Sequence, residues 1–500
     1  VTRPFPPPEE ERPRVLAPPG YSKVTGHLVW DVKMDFTCKA RWVLDGHKTP
    51  DPLYSQYAGV VSRESVRIAF TYAALNKLDV FAADIRNAYL QAPSSKKDYI
   101  ICGPEFGLEN VGKVALIHRA LGLQEPSQSL YASSGLPGSP KGTWEVFELK
   151  EESIGPPKIY LGSNVQKVEL DTGVQCWAFG SSQYVQAAVM NVERYLNDRC
   201  KAGDERFKLK PKAMTPMQTS YRPELDVSPE LEPSDASYYQ LLIGVLQWIV
   251  ELGRVDICLE CSLMSSQLAM PRIGHLHQVL NIFSYLKSHH NAELVLDPTF
   301  PVIDAAGFER KDWSTSKFGH IDNLKEELPP NQPEPKGIGF VTTAKVDADH
   351  ASDTTTRRSQ TGFFVWVNGA LVYWMAKKQT AVESSSFGSE FCAMKLCCEY
   401  LCGLRYKLRM TGIPVLGPSF IYGDNKLMLA NTSIPDSQLK KKSQSIAYHF
   451  IREGAAKDKW QTLYVNTHEN DADLLTKQLP YGQKRQKFVK RLIHHIYEHN

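Results

Sequence analysis

The sequence has no apolar run long enough to cross a membrane, and no signal-peptide pattern opens it. We therefore expect an intracellular chain, neither spanning a membrane nor secreted. Charge of one sign is scarce too. Against 58 Lys and Arg stand 55 Asp and Glu, a formal net charge of +3. That excess is too small to argue for a nucleic-acid partner, which has to be read from local clusters. Cysteine is thin and scattered, ten in all. Cys258 and Cys261 form a lone CxxC without a second pair, and Cys397 and Cys398 fall inside a helical stripe. Buried free thiols are expected rather than a zinc site or disulfides. No two aspartates are adjacent anywhere in the chain. What is present is a globular composition, 42% hydrophobic and 23% charged over 500 residues. That length exceeds one ordinary core and predicts roughly two to four domains. The chain opens on Val1 rather than Met, which reads as a fragment.

The last third carries the most informative residues. Asp347 ends a strand-like run, KVDADHASD. Glu390 lies in a predicted helix, SSSFGSEFCAMKLCCEYL, and Asp424 ends a strand, SFIYGDN. Asp473 opens what reads as a final helix, DADLLTKQL. Taken singly, each of these acids is an ordinary surface residue. Drawn from four separate elements, they can converge on one point, as two Mg²⁺ (or Mn²⁺) ions require, because such ions take hard oxygen ligands. Asp349, two residues from Asp347, shares its strand face and is expected to support the site or to be a plain surface acid. The helix bearing Glu390 has an apolar stripe of Phe391, Met394, Cys398, Leu401 and Leu408, and Gly412 with Pro414 signals its end. TGFFVWVNG and ALVYWMAKKQ read as two antiparallel strands around an Asn368-Gly369 turn.

The words around these acids are more specific than the acids. VDADHASD, RRSQTGFFVWVNGALVYWMAKKQTAVESSSFGSEFCAM, IYGDN, AYHFIRE and NTHENDADLLTK resemble, in order, the RNase H domain of copia-type LTR retrotransposons. The resemblance covers roughly Lys336 to Leu479. It implies an RNase H-like α/β domain with a mixed five-stranded sheet that cleaves the RNA strand of RNA–DNA hybrids. Two metal ions held by Asp347, Glu390, Asp424 and Asp473 would activate water and stabilise the leaving oxygen. His468 stands where some relatives place a histidine that assists product departure; a loop residue without a role is the alternative. Lys440, Lys441 and Lys442 can meet the hybrid backbone or form a plain solvated cluster.

Upstream, GHLVWDVKMDFTCKARWVLDGHKTPDP and YAGVVSRESVRIAFTYAALNKLDVFAADIRNAYLQAP resemble the fingers and first palm segment of copia-type reverse transcriptases. Lys39 and Arg41 alternate on one strand face, suited to phosphates or simply to water. VFAAD reads as a buried strand ending in Asp84, which matches a polymerase metal ligand, and Tyr89 matches the aromatic that helps select the sugar. The family's second palm motif, two adjacent aspartates, has no counterpart. Between Gln124 and Phe147 stands SSGLPGSPKG and little else, a Gly/Ser/Pro-rich stretch that cannot supply two core strands. The RNA-directed DNA polymerase centre, with its RNA template and DNA product, is therefore expected to be lost.

The expected organisation is α/β and α+β multidomain. Residues 1–20 form a Pro-rich entry, 21–130 truncated fingers and palm, 131–146 a low-complexity junction, and 147–296 a helical thumb and connection. Residues 297–336 form a tether, 337–480 the RNase H-like domain and 481–500 a tail. Asp171-Thr172-Gly173 has the form of a retroviral protease motif. It separates the alternating runs VQKVEL and VQCWAF, however, and so reads as a hairpin turn. The resemblance implies residence in a cytoplasmic virus-like particle or the nucleus. The competing expectation is a decayed or co-opted protein that binds nucleic acid or a partner without catalysis.

Overall fold

A computed structural model describes residues 19–32, 38–45, 61–85, 93–119, 148–204, 206–304, 307, 311–316, 319–320, 325–439 and 442–498. Two compact units emerge: one comprises the chain to Val61 with Phe81–Pro156, the other Ser62–Val80 with Pro157–Asn500. Among the described residues no helix is long and apolar enough to cross a membrane.

The smaller unit contains a hairpin of Gly26–Val32 against Cys38–Leu44. Beside it in sequence is a three-stranded sheet of Ser22–Lys23, Pro93–Ile101 and Val114–Arg119. Its core is slight, built on Val24, Ile100 and Ile117. The expected buried strand at VFAAD is not there. Among the described residues this stretch pairs only through isolated bridges, Ala82 with Gly155 and Ile85 with Leu149, and Phe81 to Asp84 are exposed.

Among the described residues the larger unit has a two-stranded pair, Thr315–Ser316 with Gly319–His320, and two larger sheets. One runs Ile159–Tyr160, Ser163–Glu169, Gln175–Gly180 and Glu293–Leu296, all antiparallel. Helices Ser182–Lys201, Pro233–Glu251 and Ile273–Ser288 carry buried apolar stripes in the same continuous core. Leu170 and Gly173 close the hairpin turn containing Asp171-Thr172-Gly173, which is exposed. Gly173 has φ +77°, a conformation that favours glycine.

The other sheet positions the acids. Its strands are β1 (Thr342–Asp349), β2 (Gln360–Val367), β3 (Ala370–Lys378), β4 (Ser419–Gly423) and β5 (Trp460–Tyr464). They lie in the order β3-β2-β1-β4-β5. β1, β2 and β3 form an antiparallel meander around Asn368-Gly369, while β4 joins β1, and β5 joins β4, in parallel. The mixed five-stranded α/β sheet is thus as expected. Parallel neighbours need crossovers, supplied by α1 (Ser386–Met410) between β3 and β4 and by α2 (Lys426–Ser433) and α3 (Ser445–Ala456) between β4 and β5. Ser385 caps α1 by accepting from the Gly388 amide, and all five stripe residues are fully buried. Gly412, at φ +74°, follows the helix end.

The compact units cut the chain differently from the sequence boundaries. Helix Arg63–Leu75, expected with the fingers and palm, belongs to the larger unit. There it covers edge strand β3: the Arg67 guanidinium lies 4.1 Å from the Trp374 ring centroid and donates to the Val372 carbonyl at 3.0 Å. That contact helps to cover the strand edge. The expected tether is fastened down, since Glu326 accepts from both Arg405 and Arg409 of α1. The expected tail contains α4 (Gln483–Leu492), whose Phe488, Val489 and Leu492 join the main core. Arg485 of α4 is 2% exposed and donates to the Asp256 carbonyl at 2.7 Å.

Candidate metal centre

Two neighbouring parallel strands set the site. Asp347 sits near the end of β1, and Asp424 follows Gly423 at the end of β4, where Asn425 turns the chain by capping α2. Asp473 comes from a short 3-10 turn, Asp471–Leu475, rather than from the final helix the sequence suggested. That turn is pinned to β1 by Asn470, whose buried amide donates to the Val346 carbonyl at 3.0 Å. The turn crosses directly over β2. Gly362 is the register partner of Asp347, and a Cβ there would lie 2.5 Å from the Leu475 Cβ. Only glycine lets the turn approach closely enough to bring Asp473 to Asp347.

Carboxylate oxygens of Asp347, Asp424 and Asp473 lie within 4.8 Å of one another, so the three can hold a metal ion. Asp347 and Asp473 are fully buried. The trio differs from the expected grouping of Asp347, Glu390 and Asp424 with Asp473 nearby. Glu390 lies outside it but feels its charges. Burial, then the charges of Asp347 and Asp424, push the Glu390 carboxyl up to about 9. Among the described residues its Oε2 has no hydrogen-bond partner although the residue is only 8% exposed. An orphaned buried oxygen of this kind calls for a proton or a cation. The adjoining Ser389 is locked by His350 Nδ1 at 2.7 Å, and its hydroxyl lies 2.8 Å from that of Ser359. Gln379 donates to its carbonyl at 2.9 Å.

Burial also pushes the Asp347 carboxyl up, to about 7, against the pull of Lys477, with Asp473 and Asp424 adding to the rise. The Thr476 hydroxyl donates to Asp347 Oδ2. Lys477 Nζ lies 3.2 Å from Asp347 Oδ2 and 2.5 Å from Asp473 Oδ1, and Lys484 of α4 pairs with Asp473 Oδ2. Neighbouring acids of the same loop are clamped as well: Glu469 by Lys487 and Arg491, and Asp471 by Lys345 and Arg491. Sequence reasoning missed Thr476, Lys477 and Lys484. The i,i+4 spacing of Asp473 and Lys477 in DADLLTK was the available signal; for Lys484 there was none.

The other expected residues fall elsewhere. His468 is exposed on its loop, its amide donating to Asn466 Oδ1 at 2.9 Å. Asp84, in the smaller unit, is exposed and paired with Lys150. Lys39 and Arg41 lie on strand Cys38–Leu44, opposite Asp31 and Val29. Lys442 opens a 3-10 turn, Lys442–Gln444. Tyr89, Lys440 and Lys441 lie outside the described residues.

No protein-family model matches the chain. Curated relatives match across most of it. The retrovirus-related Pol polyproteins from transposons RE2 and RE1 of Arabidopsis thaliana are 23% and 24% identical over 475 residues, 88% of this chain. The Pol polyprotein from transposon TNT 1-94 of Nicotiana tabacum is 22% identical over 93% of it. These copia-type homologues match the resemblance read from the motifs. The chain spans 30%, 29% and 35% of their respective lengths. Among solved structures, an N-terminal RNase H domain from Mycobacterium tuberculosis, fused to maltose-binding protein, is 14% identical. It covers 28% of this chain and 91% of that one, with a TM-score of 0.21. LC11-RNase H1 in complex with an RNA/DNA hybrid is 13% identical, covering 27% and 93%, with a TM-score of 0.22.

Proposed function

We propose that this chain, homologous to the Pol polyproteins of copia-type transposons, cleaves the RNA strand of RNA–DNA hybrids with its β1–β5 region, using Mg²⁺ or Mn²⁺. The observation that carries the reading is the convergence of Asp347, Asp424 and Asp473 from separate elements, with Glu390 buried and its Oε2 without a hydrogen-bond partner among the described residues. This donor set fits a hard divalent cation: it offers only carboxylate oxygens, and one of them lacks any other partner. Asp347, Asp424, Asp473 and Glu390 would hold it. When bound, two such ions supply the charge that stabilises the attacking and leaving oxygens of phosphodiester hydrolysis. The chain's own part is positioning. β1 and β4 fix two carboxylates in register, Gly362 admits the turn carrying Asp473, and Ser389 anchors the helix start that carries Glu390. A hybrid bound there is read by shape, phosphates and 2′-hydroxyls rather than by sequence.

RNA-directed DNA synthesis does not belong to this proposal. A polymerase centre needs clustered carboxylates for its metals, whereas Asp84 is exposed beside Lys150 and the sequence contains no Asp-Asp pair. The second reading is a non-catalytic nucleic-acid- or partner-binding protein. It draws on the two lysines that already neutralise Asp473. Hybrid cleavage separates the two. The parent chain should cut the RNA strand in Mg²⁺ or Mn²⁺, and Asp424→Asn should abolish cutting while hybrid binding survives. Asp349→Asn should lose far less. A parent chain that cuts no hybrid in either metal hands the case to the non-catalytic reading.

A further inference from the structure

Lys477 reaches into the acid cluster. Its ammonium bridges Asp347 and Asp473, two of the three residues whose oxygens converge. A divalent ion drawn to those same oxygens and an ammonium at 3.2 Å and 2.5 Å compete for one place. Like charges at such spacing repel strongly in a site screened from water. The lysine side chain is 34% exposed, so it has freedom to leave. It also has somewhere to go. A cavity of about 240 Å³ adjoins the cluster, lined by Lys477 and Thr476 on one side and by Asp349, Arg222 and Glu224 among others. Asp349 is half-buried, two residues along β1 from Asp347 and on the same strand face.

Building on the metal-centre reading above, we infer that Lys477 is a built-in counter-cation of the acid cluster that exchanges with the divalent ion, moving out toward Asp349 when the ion enters. In the metal-free chain the ammonium compensates Asp347 and Asp473, which would otherwise stand as adjacent buried charges. On metal entry the same ammonium becomes a competitor, and the carboxylate of Asp349 receives it. The arrangement makes Lys477 a positioning residue whose two effects have opposite signs. It stabilises the metal-free protein and weakens metal affinity. A merely structural lysine would not do both, because losing it would lower stability and leave affinity unchanged or poorer.

The test is Mn²⁺ binding to the full chain, read by electron paramagnetic resonance of free Mn²⁺, together with the melting temperature in chelator. Lys477→Met should bind Mn²⁺ at least fivefold more tightly than the parent and melt at a lower temperature when metal-free. Should that variant fail to fold, Lys477→Gln, which keeps a polar contact to Asp473 without the charge, carries the same expectation. Asp349→Asn should weaken Mn²⁺ binding about threefold in the parent and have little effect in the Lys477→Met background, because the residue to be received is gone. Unchanged or weaker affinity in both Lys477 variants overturns the exchange. So does an Asp349→Asn penalty of equal size in both backgrounds. A parent chain that binds Mn²⁺, and loses it in Asp424→Asn, keeps the metal centre whatever Lys477 does. A parent that binds none removes both.

Discussion

Replacing Glu390 by Gln should raise the stability of the metal-free protein and remove its response to metal. Burial and the charges of Asp347 and Asp424 raise the carboxyl from an ordinary 4.5 to about 9. A carboxyl whose affinity for protons is higher folded than unfolded favours the fold below the unfolded value and loses that advantage as pH rises through the folded one. Between 4.5 and 9, therefore, Glu390 costs stability that Gln does not. Two and a half pH units separate 4.5 from neutrality, and at about 1.4 kcal/mol per unit the ceiling is about 3.5 kcal/mol at pH 7. Asp347 and Glu390 repel one another and share that cost, so a gain of about 1–3 kcal/mol is expected. The gain should vanish below pH 4.5 and grow toward pH 9. With Mg²⁺ or Mn²⁺ added the order should invert, because the parent gains from binding while the variant lacks one of the oxygens that would hold the ion. The assay is thermal melting of parent and Glu390→Gln from pH 4.5 to 9, in chelator and in divalent metal. A variant that melts below the parent in chelator at pH 8, or gains as much from metal, would refute the reasoning.

Arg485→Ala should cost about 1–3 kcal/mol, because it leaves the buried Asp256 carbonyl without its donor and removes the cation 3.7 Å from Glu260, whose carboxyl burial already pushes up to about 7; a denaturant midpoint close to the parent's would contradict this. For Glu326, burial favours the protonated form, but Arg405 and Arg409 outweigh it and hold the carboxyl down to about 2. Its contribution is therefore present above pH 4.5 and lost as pH falls from 4.5 toward 2, and the gap in melting temperature between parent and Glu326→Gln should close over that window. Primer extension on an RNA template should give no magnesium-dependent product. Asp171→Ala should change neither stability nor any peptide cleavage, since the residue lies in an exposed turn; peptide cleavage that disappears in the variant would contradict that placement.

Most of the β1–β5 sheet was legible in the sequence. Strand alternation, the Asn368-Gly369 turn and the stripe through Phe391, Met394, Cys398, Leu401 and Leu408 report a local period, and a local period needs no knowledge of the rest of the chain. Asp347 and Asp424 were legible as acids at strand ends, whereas Asp473 stands on a 3-10 turn where the sequence suggested a helix. VFAAD shows the limit of that reading. Its apolar letters suggest a core strand, yet burial depends on what packs against it, and Phe81 to Asp84 are exposed. The sequence by itself determined which acids are offered to a cation and which faces are apolar. Tertiary structure alone decided that Asp473 arrives on a turn passing over Gly362, that Glu390 stands outside the trio, and that Lys477 reaches Asp347 on β1. It also decided that helices Arg63–Leu75 and Gln483–Leu492 join the larger unit's core. Those facts rest on contacts between residues far apart in the chain, and such contacts are set by topology and close packing, which no local pattern encodes.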